Sequence, residues 1–246
     1  MSIESSEDLA GMMQAGKVTR AVLDGMKAVV QPGISTRELD EVGASIMRNF
    51  GGRSAPMLAY GFPGHNCISV NEEVVHGVPG ARKLAEGDLV KLDVTVEVDG
   101  YMADACETVA VGSVDHESKQ LMDCASRAFW AGLSVVRPGV RAFDIGKEVH
   151  KTVSACGYFV VRDLFGHGIG RIIHDWPTIP NQFDRRFADE LTDGLVFTIE
   201  PMIAIGTSRS VTLKDGWTIR TRDHSRSAHY EQTVFVTSDG AQLLTA

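Results

Sequence analysis

The sequence predicts an α+β fold made of two related halves, and three observations carry that expectation. Two stretches resemble one another: AVLDGMKAVVQPGISTRELDEVGASIMRNFGG from Ala21 to Gly52, and RAFWAGLSVVRPGVRAFDIGKEVHKTVSACGY from Arg127 to Tyr158. Gly33 and Gly139 are as far apart along the chain as Gly51 and Gly157, so the two align without a gap. Strand-like sequence follows each, CISVNEEVVHGVP and LVKLDVTVEVDGYMADACETVAV after the first, LVFTIEPMIAIG and HYEQTVFVTS after the second. Helices, strands, helices, strands is the order of an α+β protein with pseudo-twofold symmetry. No Pro/Ser-rich linker separates the halves, so residues 1–246 are expected to form one compact domain.

Each repeat reads as two helices around a V-x-P-G break. Val22, Leu23, Met26, Val29 and Val30 form the apolar stripe of the first helix at a 3.6-residue period. Ser35 and Glu38 have the spacing of a capping box for the second, whose buried face is Leu39, Val42, Ile46, Met47 and Phe50. Pro32 and Pro138 are expected to end their helices, since proline cannot continue the hydrogen-bond ladder.

Bulk properties narrow the function. A length of 246 residues with 43% hydrophobic side chains supports a sizeable core, and no apolar run is long enough for a transmembrane helix. The formal charge of -8 argues against nonspecific nucleic-acid or anionic-membrane binding, both of which use basic patches. The start, MSIESSEDLAGMM, lacks the basic-then-apolar order of a signal peptide. Cys67, Cys106, Cys124 and Cys156 form no CxxC pair and are expected to be reduced thiols of a cytoplasmic protein.

The chemistry lies in acids set into apolar strands. Leu92, Val94, Val96 and Val98 alternate with Lys91, Asp93, Thr95 and Glu97, and Asp99-Gly100 is a favoured two-residue hairpin turn. With that turn, 98 opposes 101, 95 opposes 104 and 93 opposes 106. Asp93 and Asp104 then share a face as diagonal neighbours about 7–8 Å apart. Glu200 in VFTIEPMI and Glu231 in HYEQTVFV interrupt two later strands, and Pro201 marks a strand end or bulge. In LFGHGIGRIIHD, Gly166, Gly168 and Gly170 crowd His167, which lets a backbone, a metal or a substrate approach it closely. Four carboxylates and one imidazole carry a charge of about −4, which two divalent cations neutralise. Such oxygen-rich ligation suits Mn, Fe, Co or Zn.

The motifs SVNEEVVHGVP, KLDVTVEVDGYMAD, GHGIGRIIH, FTIEPM, DGWTIRTRD and SAHYEQT, in this order, resemble those of type I methionine aminopeptidases from Ala15 to the end of the chain. The resemblance implies the pita-bread fold, in which pseudo-twofold halves of helix, helix and strands surround a curved antiparallel sheet. It implies metal ligation by Asp93, Asp104, His167, Glu200 and Glu231, and catalytic roles for His76 and His174 with Glu200 as proton shuttle. The substrate-binding residues it implies are His76, His174, Phe62, Cys67, Ile173 and Trp217. The activity implied is release of N-terminal methionine from peptides and nascent chains, at the ribosome, by a hydroxide that two divalent metals activate. A cytoplasmic monomer without nucleic-acid or membrane partners is expected.

The sequence departs from the family pattern at four places. Gln232 stands where histidine is usual, His229 where glutamine is usual, Ile173 where an aromatic residue is frequent, and Tyr60 where bacterial members often carry histidine. None is expected to be a metal ligand; they bear on substrate preference. Prolidases and X-Pro aminopeptidases share the fold but usually carry an added N-terminal domain. Creatinase-like enzymes share it without metals, and a non-enzymatic binding protein of this fold is the remaining alternative.

Overall fold

The structure, a computed structural model, describes residues 1–246. Helices α1 (Ser6–Ala28) and α2 (Thr36–Asn49) open the first half, followed by β1 (Arg53–Ser54) and the short α3 (Ala55–Tyr60). Its strands are β2 (Cys67–Val70), β3 (Glu73–Val75), β4 (Leu89–Val98) and β5 (Tyr101–Ala110). The second half begins with α4 (His116–Leu133) and α5 (Ala142–Ala155), followed by β6 (Phe159–Val160), β7 (Phe165–Gly168) and β8 (Asp175–Pro180). Then come β9 (Val196–Ile199), β10 (Met202–Ala204), β11 (Ser210–Thr212), β12 (Ile219–Thr221), β13 (Ser227–Thr237) and β14 (Gly240–Leu243).

The internal repeat is a repeat of structure. Helices α2 and α5 are each 14 residues long. The residues that precede them, Ser35 and Arg141, make matching antiparallel bridges to Lys83 and Glu190. The main sheet has 11 strands along the path β1-β4-β5-β13-β9-β7-β8, with β2, β10, β14 and β6 paired off it. The two halves meet where β5 pairs with β13, with Glu231 opposite Cys106. Helices cover one face of this sheet. Met12, Val22, Leu23, Met26, Leu39 and Met47 pack on Leu92, Val94 and Val96. Leu121, Phe129, Ile145 and Val149 pack on Phe197, Val234 and Val236.

Local sequence explains most boundaries. Helix α1 starts earlier than its apolar stripe suggests, at a cap in which the Asp8 N–H donates to Ser5 Oγ at 3.1 Å. The capping box at α2 forms as expected, with Glu38 N to Ser35 Oγ at 3.2 Å and Ser35 N to Glu38 Oε2 at 2.8 Å. Two details differ from the sequence reading. Helices α1 and α4 stop at Ala28 and Leu133, several residues short of Pro32 and Pro138. Proline has no N–H to return to the carbonyl four residues back, so its effect is felt a turn earlier. Phe50 is 47% exposed, because α2 ends at Asn49 and the chain turns before the residue can join the buried stripe.

The polar face of β4 is not solvated: Lys91, Thr95 and Glu97 are all buried. Lys91 Nζ donates to the carbonyl of Asn71 at 2.7 Å and to the carbonyl and hydroxyl of Ser227 at 3.2 Å each. These bonds satisfy the ammonium where burial pushes its pKa down to about 7.

Asp40 on α2 ties the helix layer to the start of β2. Its Oδ1 accepts from the backbone N–H groups of His65 and Asn66 at 3.1 and 2.8 Å and from Asn66 Nδ2 at 2.9 Å. Replacing Asp40 by alanine orphans these donors, so a loss of about 1.5–3 kcal/mol in stability is expected from urea unfolding. A change below about 0.5 kcal/mol, the range of ordinary surface substitutions, would show that the loop is held otherwise.

Candidate active site

The hairpin register is the one its turn dictates. Val98 pairs with Tyr101, Thr95 with Asp104, and Asp93 with Cys106. Asp99 and Gly100 both have the positive φ, 50° and 82°, that a tight hairpin of this kind needs. Cys106 in turn pairs with Glu231, so Asp93, Cys106 and Glu231 form one row across three strands. On the other side of β13, Thr233 pairs with Thr198 and Gln232 with Ile199. Continued by one residue, this register brings Glu200 level with Glu231, where Pro201 breaks the strand. Gly168 of β7 pairs with Phe197, which sets His167 beside Thr198.

Glycines make that last approach feasible. A Cβ on Gly166 would lie 2.4 Å from the Thr198 carbonyl oxygen, and one on Gly168 would lie 2.0 Å from that of Trp176. The backbone N–H of His167 donates to Thr198 Oγ1 at 3.0 Å, and that hydroxyl donates to Glu200 Oε1 at 2.7 Å. Thr95 Oγ1 likewise donates to Asp104 Oδ2 at 2.9 Å. The His167 ring holds its Nδ1 against the Gly168 carbonyl at 2.9 Å, which leaves Nε2 free and 3.5 Å from Glu200 Oε1. Burial pushes the His167 pKa down to about 3, so the imidazole is neutral with a lone pair turned to the acids.

Electrostatically the acids are out of balance. Burial, reinforced by neighbouring carboxylates, raises Asp93 and Glu231 well above the usual range. Glu200 is raised well above it by burial against the opposing Thr198 bond. Burial raises Asp104 to about 6. Asp104 Oδ1 and Glu231 Oε1 are buried with no hydrogen-bond partner. None of the residues lining the cleft is a lysine or an arginine. Donor atoms of Asp104, His167 and Glu231 all lie within 4.8 Å of one another, as do those of Glu200, His229 and Glu231. Orphaned carboxylate oxygens around a neutral imidazole fit divalent metal ions.

The site residues expected from the sequence share one cleft, although Asp93 belongs to neither close donor group. Phe62, Cys67, His76, Asp93, Asp104, His167, Ile173, His174, Glu200, Trp217 and Glu231 line a single cleft. His76 follows β3 in a left-handed conformation, φ 57°, of the kind seen where a site turns a side chain inward. Burial, and then His174 nearby, lowers its pKa to about 4. The His174 ring lies 4.2 Å from that of His167, centroid to centroid. Phe62 and Trp217 meet edge to face at 5.3 Å. Asp215 supports Trp217 by accepting from its backbone N–H at 2.9 Å.

The contacts that two of the departures from the family pattern make were not foreseen from the sequence. Tyr60, at the end of α3, also lines the cleft, and its hydroxyl lies 2.6 Å from His174 Nδ1. His229 was expected to bear on substrate preference alone, yet one of its ring nitrogens lies within 4.8 Å of carboxylate oxygens of Glu200 and Glu231. Its position two residues before Glu231 on one strand, hence on the same face, was the available signal. Gln232 faces the other way, accepting from Thr245 Oγ1 at 2.8 Å.

Residues 10–238 match the model of metallopeptidase family M24. A methionine aminopeptidase of Clostridium perfringens is 38% identical over 243 residues, covering 99% of this chain and 98% of that one. Methionine aminopeptidase 1A of Arabidopsis thaliana is 41% identical over the whole chain, which spans 62% of that longer protein. The crystal structure of methionine aminopeptidase from Rickettsia prowazekii superposes with a TM-score of 0.96 at 38% identity, covering 100% of both chains. Prolidase from Pyrococcus furiosus, at 22% identity and a TM-score of 0.82 over 99% of this chain and 65% of its own, shares the fold. The chain belongs to metallopeptidase family M24 and, within it, groups with the type I-like methionine aminopeptidases.

Proposed function

We propose that this methionine aminopeptidase works as one catalytic domain, residues 1–246, on the N-termini of peptides and nascent chains in the cytoplasm. Asp93, Asp104, His167, Glu200 and Glu231 would hold two divalent cations, from among Co, Mn, Fe and Zn. The observation that carries this reading is the convergence of buried, partly orphaned acid oxygens with the His167 Nε2 in a cleft without lysine or arginine. When bound, such cations act as Lewis acids and lower the pKa of water to about 7. No helix is long and apolar enough to cross a membrane, and all four cysteines are free, in keeping with a cytoplasmic site of action.

The chain's own residues would supply the rest. Glu200, with one oxygen held by Thr198, is suited to pass a proton to the leaving amine. His76 and His174 are kept neutral by burial, so each offers an N–H to the carbonyl oxygen or the scissile amide without adding charge. Tyr60, whose hydroxyl lies beside His174 Nδ1, would position that ring and leave its Nε2 for the substrate. Phe62, Cys67, Ile173 and Trp217 form an apolar wall suited to an unbranched, polarizable methionine side chain.

Three outcomes follow from these roles. Chelation is expected to abolish peptide cleavage, and added Co, Mn or Fe to restore it; full turnover by metal-stripped protein would refute the metal centre. Changing His76 to alanine should lower kcat by roughly 10²–10³ with metal content unchanged, and loss of metal instead would reassign the residue. Among Met-Ala, Leu-Ala, Pro-Ala and Ala-Pro peptides, Met-Ala should give the highest kcat/KM. Leu-Ala should follow within about 1–3 kcal/mol, because Ile173 stands where the family often has a larger aromatic ring. Preference for Ala-Pro would contradict the assignment of the pocket.

A further inference from the structure

His229 has no satisfied role in the protein as folded. It is 1% exposed, and neither Nδ1 nor Nε2 has a hydrogen-bond partner. A buried imidazole carries one donor and one acceptor, and leaving both unpaired is costly. Lys91 offers the ring no proton, because its ammonium donates to Asn71 and Ser227. Its backbone is fully engaged with Thr108, whose hydroxyl lies 2.8 Å from both the His229 N–H and its carbonyl oxygen, so β13 fixes where the side chain points.

That direction is toward the acids. His229 Nε2 lies 3.4 Å from Glu231 Oε2, beyond the roughly 2.7–3.2 Å of an N–H···O bond. The same spacing recurs between His167 Nε2 and Glu200 Oε1, at 3.5 Å. Two donors each about 2.0–2.1 Å from one ion, at a tetrahedral angle, stand about 3.4 Å apart. Both histidine–glutamate pairs therefore have the separation of ligands that share an ion. Glu231 belongs to both donor groups, one completed by Asp104 and His167, the other by Glu200 and His229.

We propose that His229 is a metal ligand, donating Nε2 to a divalent cation held with Glu200 and Glu231, so that the centre carries two imidazoles. This rests on the metal-centre reading given above. A second imidazole biases an oxygen-rich site toward cations that favour nitrogen, such as Zn, Co and Fe, and away from Mn.

X-ray absorption at the cobalt edge on the full chain loaded with two equivalents of Co²⁺ tests it by counting imidazoles. The expected result is an average of one imidazole per cobalt in the wild-type protein, falling to half in His229→Gln. Half an imidazole per cobalt in the wild type would overturn the proposal, leaving His167 as the only nitrogen ligand. The wild-type count decides even if the variant fails to fold. Retention of no cobalt at all would overturn the metal-centre reading itself, a result distinct from the one-imidazole outcome.

Discussion

The burial of like charges on neighbouring strands is the constraint on which this site depends. Asp93, Asp104 and Glu231 project from three adjacent strands of one sheet, and Glu200 closes on them from the end of a fourth. Two such charges 4 Å apart repel by about 4 kcal/mol at an effective dielectric of 20. No lysine or arginine lines the cleft to offset this. The sheet tolerates the arrangement because helices pack its opposite face into two extensive apolar cores. Hydroxyls of Thr95 and Thr198 hold one oxygen each of Asp104 and Glu200, orienting acids that would otherwise splay apart.

The two halves contribute unlike parts to a common centre. Strands of the first half deliver Asp93 and Asp104, together with His76, Phe62 and Cys67; the second half delivers His167, Ile173, His174, Glu200, Trp217 and Glu231. The centre exists only where β5 and β13 pair, and the row Asp93–Cys106–Glu231 runs across that seam. Cys106 fits there as a small, uncharged side chain: burial keeps its thiol protonated, and the flanking acids reinforce the effect. A longer or ionised residue in its place would crowd or repel both neighbours.

Much of this was legible in the sequence, because period-two alternation and a two-residue turn together determine a register. The pairing of Thr95 with Asp104 needed only Asp99-Gly100 and the pattern of Leu92 to Val98. The matching helix pairs were legible for a similar reason: the same break and spacing occur twice. Non-local placement was not. Nothing near Glu200 says that it comes level with Glu231, because that depends on how β9 and β13 pair. Tyr60 reaches His174 across 114 residues from a six-residue helix too short to carry a periodic signal. His229, as a departure from the family pattern, points only to substrate preference, although alternation from Glu231 puts it on the acid-facing side of β13. The burial of Lys91, Thr95 and Glu97 was also hidden, since alternation marks two faces without saying that both will be covered.

The central claim is that the acid cluster is uncompensated without bound cations and favourable with them. Denaturant unfolding of the wild type and Asp104→Asn, each with a chelator and with saturating Mn²⁺ or Co²⁺, tests it most directly. Asparagine keeps an oxygen for the Thr95 hydroxyl while removing one charge from the cluster. The account predicts a reversal: the variant is the more stable protein in chelator, and the wild type is the more stable with cation, which binds only its folded form tightly. A variant less stable than the wild type by the same amount under both conditions would contradict it.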